Sequence, residues 1–270
     1  MDAYLEANKR LWNEWTRIHE KSLFYDVEGF RAGNRRLHPL EIEEVGDVSG
    51  KSLLHLQCHF GLDTLSWAGR GATVTGADFS EEAIALAISL SEEVKIPARF
   101  LRANIYDLPD LLHEQFDIVF TSYGAITWLP DIYRWAEVAA GFVKPGGFFY
   151  IAEFHPFSYV FDDGAEAKGL KVHYPYFNGS DPMAFPVWGS YADKTAQVNE
   201  PNEYCWSHTM GDIVTALASA GLRIEFLHEH PFSVNDQLPF MELAEDRYWR
   251  LKVQRECVPL MFSIRASKPG

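Results

Sequence analysis

The residues with the clearest chemical meaning are Gln57, Cys58, His59 and Gly61, followed about 20 positions later by Asp78. An acid at that distance from a turn, closing a strand, is placed to accept hydrogen bonds from ribose hydroxyls. A dinucleotide site would need G-x-G-x-x-G here, because a pyrophosphate lies against bare backbone at a helix N-terminus. This turn has one glycine; Gln57 and His59 crowd it, and it holds no Lys or Arg. His55, Cys58 and His59 carry metal-ligating atoms, but strand alternation from Leu53 to Cys58 turns Cys58 away from His55. No metal site is expected, and Cys58 reads as a small buried residue.

A nucleoside ligand with ribose and no phosphate tolerates such a turn, and S-adenosylmethionine (SAM) is one. An NAD(P)-dependent oxidoreductase is the rival class that the crowded turn disfavours. Phe79, beside Asp78, is placed to pack on an adenine ring. Further along, Glu153 and His155 close a strand and face the crevice where ligands bind in open α/β sheets. His155 is the candidate catalytic base, since histidine titrates near neutrality. Tyr204, Trp206 and His208 precede a helix and could wall a substrate pocket or belong to the core.

The elements that must position these residues follow from periodicity. Leu53, Leu54 and Leu56 form a strand, Leu62, Leu65 and Trp67 a short helix, and a Gly69/Gly71 break leads into ATVTGA, ending at Asp78. Ser80 is an N-cap, with Glu81 and Glu82 in the first turn of the next helix. ARFLRAN, FDIVFTSY and FFYIAEF are further strands. Between them lie a short helix at Leu108–His113 and the helix DIYRWAEVAAGFV, which closes at the turn Lys144-Pro145-Gly146-Gly147. Strands alternating with helices predict a parallel sheet covered on both faces. A helix at Thr209-x-x-Asp212, the strand LRIEFLHEH and a last strand, VPLMFSIRAS, complete the pattern, with the last strand expected as an antiparallel edge.

Two regions stand outside it. Residues 2 to 22 read as an amphipathic helix whose stripe of Tyr4, Leu11, Trp12, Trp15 and Ile18 is either packing or a lid over a ligand site. SLFYDVEGFRAGNRRL after it reads as a loop, and Pro39 opens a short helix through Ile42 and Val45. From His155 to Trp206 the chain is rich in proline and aromatics, with short β-like pieces. It is too long for a plain connection, which predicts a cap or substrate lid. The expected organisation is residues 1–50 as an N-terminal helical lid, 51–155 as a SAM-binding core, 156–206 as an inserted substrate cap and 207–270 as the rest of the core sheet.

Composition narrows the function. The net charge is −14 and no Lys/Arg cluster is longer than Arg35-Arg36, which argues against nucleic acid as partner. No apolar run reaches the ~20 residues of a membrane span. The N-terminus, MDAYLEANKR, lacks the apolar core of a secretion signal. Three cysteines do not suggest a disulfide framework, so a cytoplasmic setting is expected. Nothing in the sequence indicates the oligomeric state.

In register, LLHLQCHFG, GADFS, ANIYDLP, FDIVFTSYGAITWL and VKPGGFFYIAE resemble the successive motifs of class I SAM-dependent methyltransferases. The resemblance runs from about Ser52 to the C-terminus. It implies a Rossmann-like, seven-stranded, mostly parallel sheet with helices on both faces and the last strand inserted antiparallel. It implies SAM as cofactor and a small-molecule acceptor. It places Gln57, His59, Gly61, Asp78, Phe79, Asn104, Ile105, Thr121 and Ser122 at the cofactor, and Tyr123 on the acceptor side. The pattern departs at His55, where the family has an acid that commonly helps hold the cofactor's ammonium group, and at Gln57 and His59, which replace glycines. A SAM-binding protein without transferase activity is the remaining alternative.

Overall fold

The computed structural model describes residues 3–177 and 179–270. Residues 1 and 2 of the expected lid and helix, and position 178 of the expected cap, lie outside them. In chain order the elements are α1 (Ala3–His19), α2 (Val27–Arg31), α3 (Pro39–Val45), β1 (Ser52–Leu56), α4 (Leu62–Ala68), β2 (Thr73–Asp78), α5 (Glu81–Glu93), β3 (Arg99–Arg102), α6 (Leu108–Leu111), β4 (Phe116–Ser122), α7 (Ile132–Phe142) and β5 (Val143–Phe154). Then come β6 (Met183–Pro186), β7 (Asn202–Cys205), α8 (Met210–Ser219), β8 (Arg223–His230), β9 (Met241–Leu243), β10 (Trp249–Leu251) and β11 (Met261–Ser267).

One seven-stranded sheet has the order β3-β2-β1-β4-β5-β11-β8. The strands from β3 to β5 pair in parallel, and β11 is antiparallel to both β5 and β8. The last strand is therefore inside the sheet and β8 is the edge, which corrects the expectation of an edge at VPLMFSIRAS. The residues explain the exchange. Met261, Phe262, Ser263 and Ile264 of β11 are all fully buried, so both faces are covered, whereas β8 has only exposed and half-buried positions.

Alternation along β1 assigns the two layers. Leu54 and Leu56 pack with Trp135 of α7 and Ile213 and Leu217 of α8. Leu53 packs on the opposite face with Trp67 of α4, Val45 of α3 and Phe120. The ends of the parallel strands open between these layers, on the side where the turns after β1, β2 and β4 lie.

Local chemistry explains most boundaries. Ser80 Oγ accepts from Ala83 N at 3.0 Å and starts α5. Thr209 and Asp212 form a reciprocal capping box on α8. The segment expected as a loop after α1 contains α2, because Asp26 accepts from Gly29 N and Val27 and Phe30 bury against Phe60 and Leu65. The expected turn at Lys144–Gly147 is part of β5, which starts at Val143. In the cap, β6 and β7 form an antiparallel pair, and β9 and β10 form a further hairpin that the sequence reading did not foresee.

Candidate functional site

A cavity of about 1110 Å³ lies over the strand ends, floored by the core and roofed by α1 and the cap. Its floor begins at the turn after β1. Gln57, His59 and Gly61 all have positive φ, at 55°, 50° and 77°. The backbone thus keeps a path that suits glycine, and Gln57 and His59 follow it at a cost of about 1–2 kcal/mol each. Gly61 has no alternative: a Cβ there would meet the Phe100 ring at 2.7 Å.

Both bulky side chains stay on the cavity wall, each held there by its neighbours. Gln57 Nε2 donates to Ala125 O at 3.0 Å, and Trp135 Nε1 donates to Gln57 Oε1 at 3.1 Å. Its amide therefore ties β1 to the segment after β4 and to α7. The His59 ring packs among Trp12, His19, Tyr25 and Phe60, and burial holds it well below its ordinary pKa, so it is neutral. Its Nε2 has no hydrogen-bond partner among the described residues.

Asp78 closes β2 beside this turn. Oδ2 accepts from His59 N at 2.8 Å and Oδ1 from Ser80 N at 2.9 Å. Two backbone donors fix the carboxylate's orientation, while burial still pushes its pKa up to about 6. Phe79, Asn104 and Ile105 line the same end, and Asn104 Oδ1 caps Tyr106 N at 3.1 Å. Ser122 lines the floor and donates to Asp63 Oδ2 at 3.3 Å. Thr121 is fully buried and off the cavity wall, its Oγ1 without a partner among the described residues.

On the acceptor side the structure separates the expected residues. Tyr123 lines the cavity, and its hydroxyl donates to the fully buried Glu41, whose pKa burial raises to about 8. Glu153 also lines it, but its carboxylate accepts from the backbone of Gly124, Ala125, Ile126 and Phe154. With both oxygens committed, Glu153 shapes the segment after β4. Trp206 and His208 are on the wall; Trp206 N donates to Thr127 O at 2.8 Å and His208 Nε2 to Leu129 O at 2.7 Å.

Tyr204 and His155 are not on the wall. Tyr204 exchanges both backbone groups with the Asn8 side chain of α1, and its ring packs on Tyr4. His155 Nδ1 accepts from Phe157 N at 3.0 Å, and Nε2 lies 3.0 Å from Glu229. Both ring nitrogens are occupied and the side chain is buried behind the sheet end, so this geometry gives His155 no approach to an acceptor. That corrects the expectation of a catalytic base at this position.

The structure adds residues that the sequence reading passed over. Glu203, at alternating positions with Cys205 on β7, faces the cavity and has no side-chain hydrogen-bond partner among the described residues. Burial, with Asp163 nearby, raises its carboxyl to about 7. Asp63 and Arg36 also line the cavity. A period-2 reading of NEYCW, placing Glu203 and Cys205 on one face, was the available signal for the first; nothing local marked the other two.

The roof is held by side chains of α1. Trp15 Nε1 donates to Gly189 O at 2.9 Å and His19 Nε2 lies 2.7 Å from Ser190 Oγ. Trp12 stands edge-on to His59 and Trp128. Among the described residues there is no group of His, Cys, Asp and Glu able to hold a metal, and no helix long and apolar enough to cross a membrane.

Comparison with known proteins bears on the core. Residues 54–151 match the family model described as a methyltransferase domain. The chain is 30% identical over 161 residues to a ubiquinone biosynthesis O-methyltransferase of Pseudomonas syringae pv. tomato, covering 59% of this chain and 65% of that protein. It thus spans less than two thirds of the length of that relative. Among solved structures, a S-adenosylmethionine-dependent methyltransferase from Clostridium acetobutylicum superposes with a TM-score of 0.56 at 12% identity, over 96% of this chain and 99% of that one. A glycopeptide N-methyltransferase in complex with SAM gives 0.53 at 15% identity, over 84% and 90%. At these identities the structural likeness establishes the fold.

Proposed function

We propose that the protein is a class I SAM-dependent methyltransferase that transfers a methyl group from SAM to a small-molecule acceptor, a reading supported by the methyltransferase-domain match over residues 54–151 and by the Rossmann-like fold. The observation that carries this is Asp78, oriented by His59 N and Ser80 N toward a cavity whose turn is too crowded for a pyrophosphate. The residues fit such a cofactor. Asp78 would accept from the ribose hydroxyls, and Phe79 and Ile105 would flank the adenine with Asn104 at its edge.

When bound, the cofactor supplies a methyl group activated by its sulfonium. The chain's own part is alignment and exclusion of water. Trp12, Trp15 and Trp128 close the roof, and Gln57 and Glu153 fix the backbone after β4 that forms the floor. The acceptor would enter the part of the cavity lined by Tyr159, Phe185 and Trp206 under the cap. Mostly apolar walls with a few polar groups suit an organic molecule. A chain of net charge −14 favours a small acceptor over a nucleic acid. For an acceptor carrying a neutral hydroxyl, Glu203 is placed to take the proton as the new bond to carbon forms; from an ammonium it would take the proton beforehand, freeing the nitrogen lone pair for attack.

The experiment is isothermal titration with S-adenosylhomocysteine, followed by a methyl-transfer screen of phenols, amines and thiols with SAM. Binding together with turnover of one acceptor class supports the reading. Binding without turnover in any class would favour a SAM-binding protein that is not a transferase.

A further inference from the structure

A cofactor whose ribose lies on Asp78 must also place an ammonium and a carboxylate near the turn after β1. At the end of β1 the chain offers no charge for the ammonium. His55 is buried, its Nδ1 is 2.8 Å from Thr64 Oγ1, and burial lowers its pKa to about 3, so the ring is neutral. The other carboxylates at this end are committed: Glu153 to four backbone donors, Asp78 to two backbone donors and, in the SAM reading, to the ribose, and Glu41 to Tyr123 and His38 N.

Asp63 is different. It follows Gly61 by two positions, lines the cavity, and uses Oδ2 for Ser122, while Oδ1 accepts from no described residue. Arg36 lines the same end, its backbone N on Ser66 Oγ at 3.2 Å and one guanidinium nitrogen on Phe24 O at 2.9 Å. Arg36 lies within electrostatic reach of Asp63, yet the two form no ion pair among the described residues. An anion and a cation held apart on one cavity wall match a zwitterion of opposite sense. In water-poor surroundings each would otherwise remain without a counter-charge, at a cost in stability.

We propose that Asp63 receives the ammonium and Arg36 the carboxylate of the cofactor's amino-acid end, replacing the acid missing from position 55; this rests on the SAM reading above. Asp63 is thus a binding residue supplied by α4, where related sequences commonly use the end of β1.

The test compares S-adenosylhomocysteine with 5′-methylthioadenosine, which keeps the nucleoside and thioether and lacks both charges. Calorimetry uses the full chain and its Asp63→Asn, Asp63→Glu and Arg36→Gln variants. Asp63→Asn and Arg36→Gln should each weaken S-adenosylhomocysteine by about 10- to 100-fold, the loss of a charge-assisted hydrogen bond. Both should leave 5′-methylthioadenosine unchanged, and Asp63→Glu should recover part of the loss. Unchanged S-adenosylhomocysteine affinity in either variant, or equal losses for both ligands, overturns the proposal. If Asp63→Asn does not fold by circular dichroism, Arg36→Gln decides: it must spare a decarboxylated S-adenosylhomocysteine analogue. If the wild type binds neither nucleoside, the SAM reading itself fails and this one with it. If the wild type binds both and the variants do too, only this proposal fails.

Discussion

At the floor of the cavity the backbone does the holding. His59 N and Ser80 N aim Asp78, and Glu153 collects three successive amides after β4. At the roof side chains do it: Asn8 pairs with both backbone groups of Tyr204, Trp15 reaches Gly189 O, and His19 reaches Ser190. The floor sits on strands buried on both faces, whereas much of the cap between β5 and β7 is exposed. A wall fixed by backbone cannot change shape without breaking the sheet. A wall fixed by side chains can be altered residue by residue, which suits a constant cofactor below and a particular acceptor above.

Removing the roof tests that division most severely. Replacing Gly164–Asn199 by a short linker should abolish methyl transfer, while S-adenosylhomocysteine still binds. A truncated protein that folds and turns over at the native rate would put the acceptor site elsewhere.

Changing one atom type at the roof is the next largest effect. Glu203→Gln should lower the rate by about 10²- to 10⁴-fold for a hydroxyl or amine acceptor, with cofactor affinity unchanged. In the wild type the rate should rise with pH through about 7, as the Glu203 carboxyl loses its proton. That limb should vanish in the variant. A variant that keeps both rate and limb would leave Glu203 with a structural role only.

At the floor, Asp78→Ala removes charge-assisted bonds to the ribose worth about 1.5–3 kcal/mol each, so cofactor affinity should drop by at least about tenfold. A folded variant with unaltered affinity would mean that Asp78 does not hold the ligand. A milder perturbation of the same group is pH. With its pKa raised to about 6, Asp78 becomes protonated below that value, so affinity should weaken by about tenfold between pH 7.5 and pH 5. The sign for folding is opposite. A carboxyl raised in the folded state binds more protons than the unfolded chain between its ordinary pKa and 6, so this group adds stability as pH falls there. Lost binding at pH 5 with an unchanged or higher melting temperature separates the two effects.

The floor was largely legible in the sequence. Gly61, Asp78 and the capping residues Ser80 and Thr209 act locally, through φ and hydrogen bonds to near neighbours, so residue type and spacing carry the information. The place of β11 was harder, because a strand's neighbours depend on which faces are buried. The apolar cluster of Leu260, Met261, Phe262 and Ile264, against the exposed and half-buried pattern of β8, was the signal for an inner strand. His155 failed as a base for a tertiary reason: Glu229, brought beside it by β8 and β11, occupies its Nε2. Glu203, Asp63 and Arg36 come from three distant segments, and only folding brings them to one cavity.

The central claim is that Asp78 and the crowded turn select a nucleoside without pyrophosphate. Calorimetric titration of the wild-type chain with S-adenosylhomocysteine and, separately, with NAD tests it most directly. The account predicts saturable heat with S-adenosylhomocysteine and none with NAD; heat with NAD and silence with S-adenosylhomocysteine would contradict it.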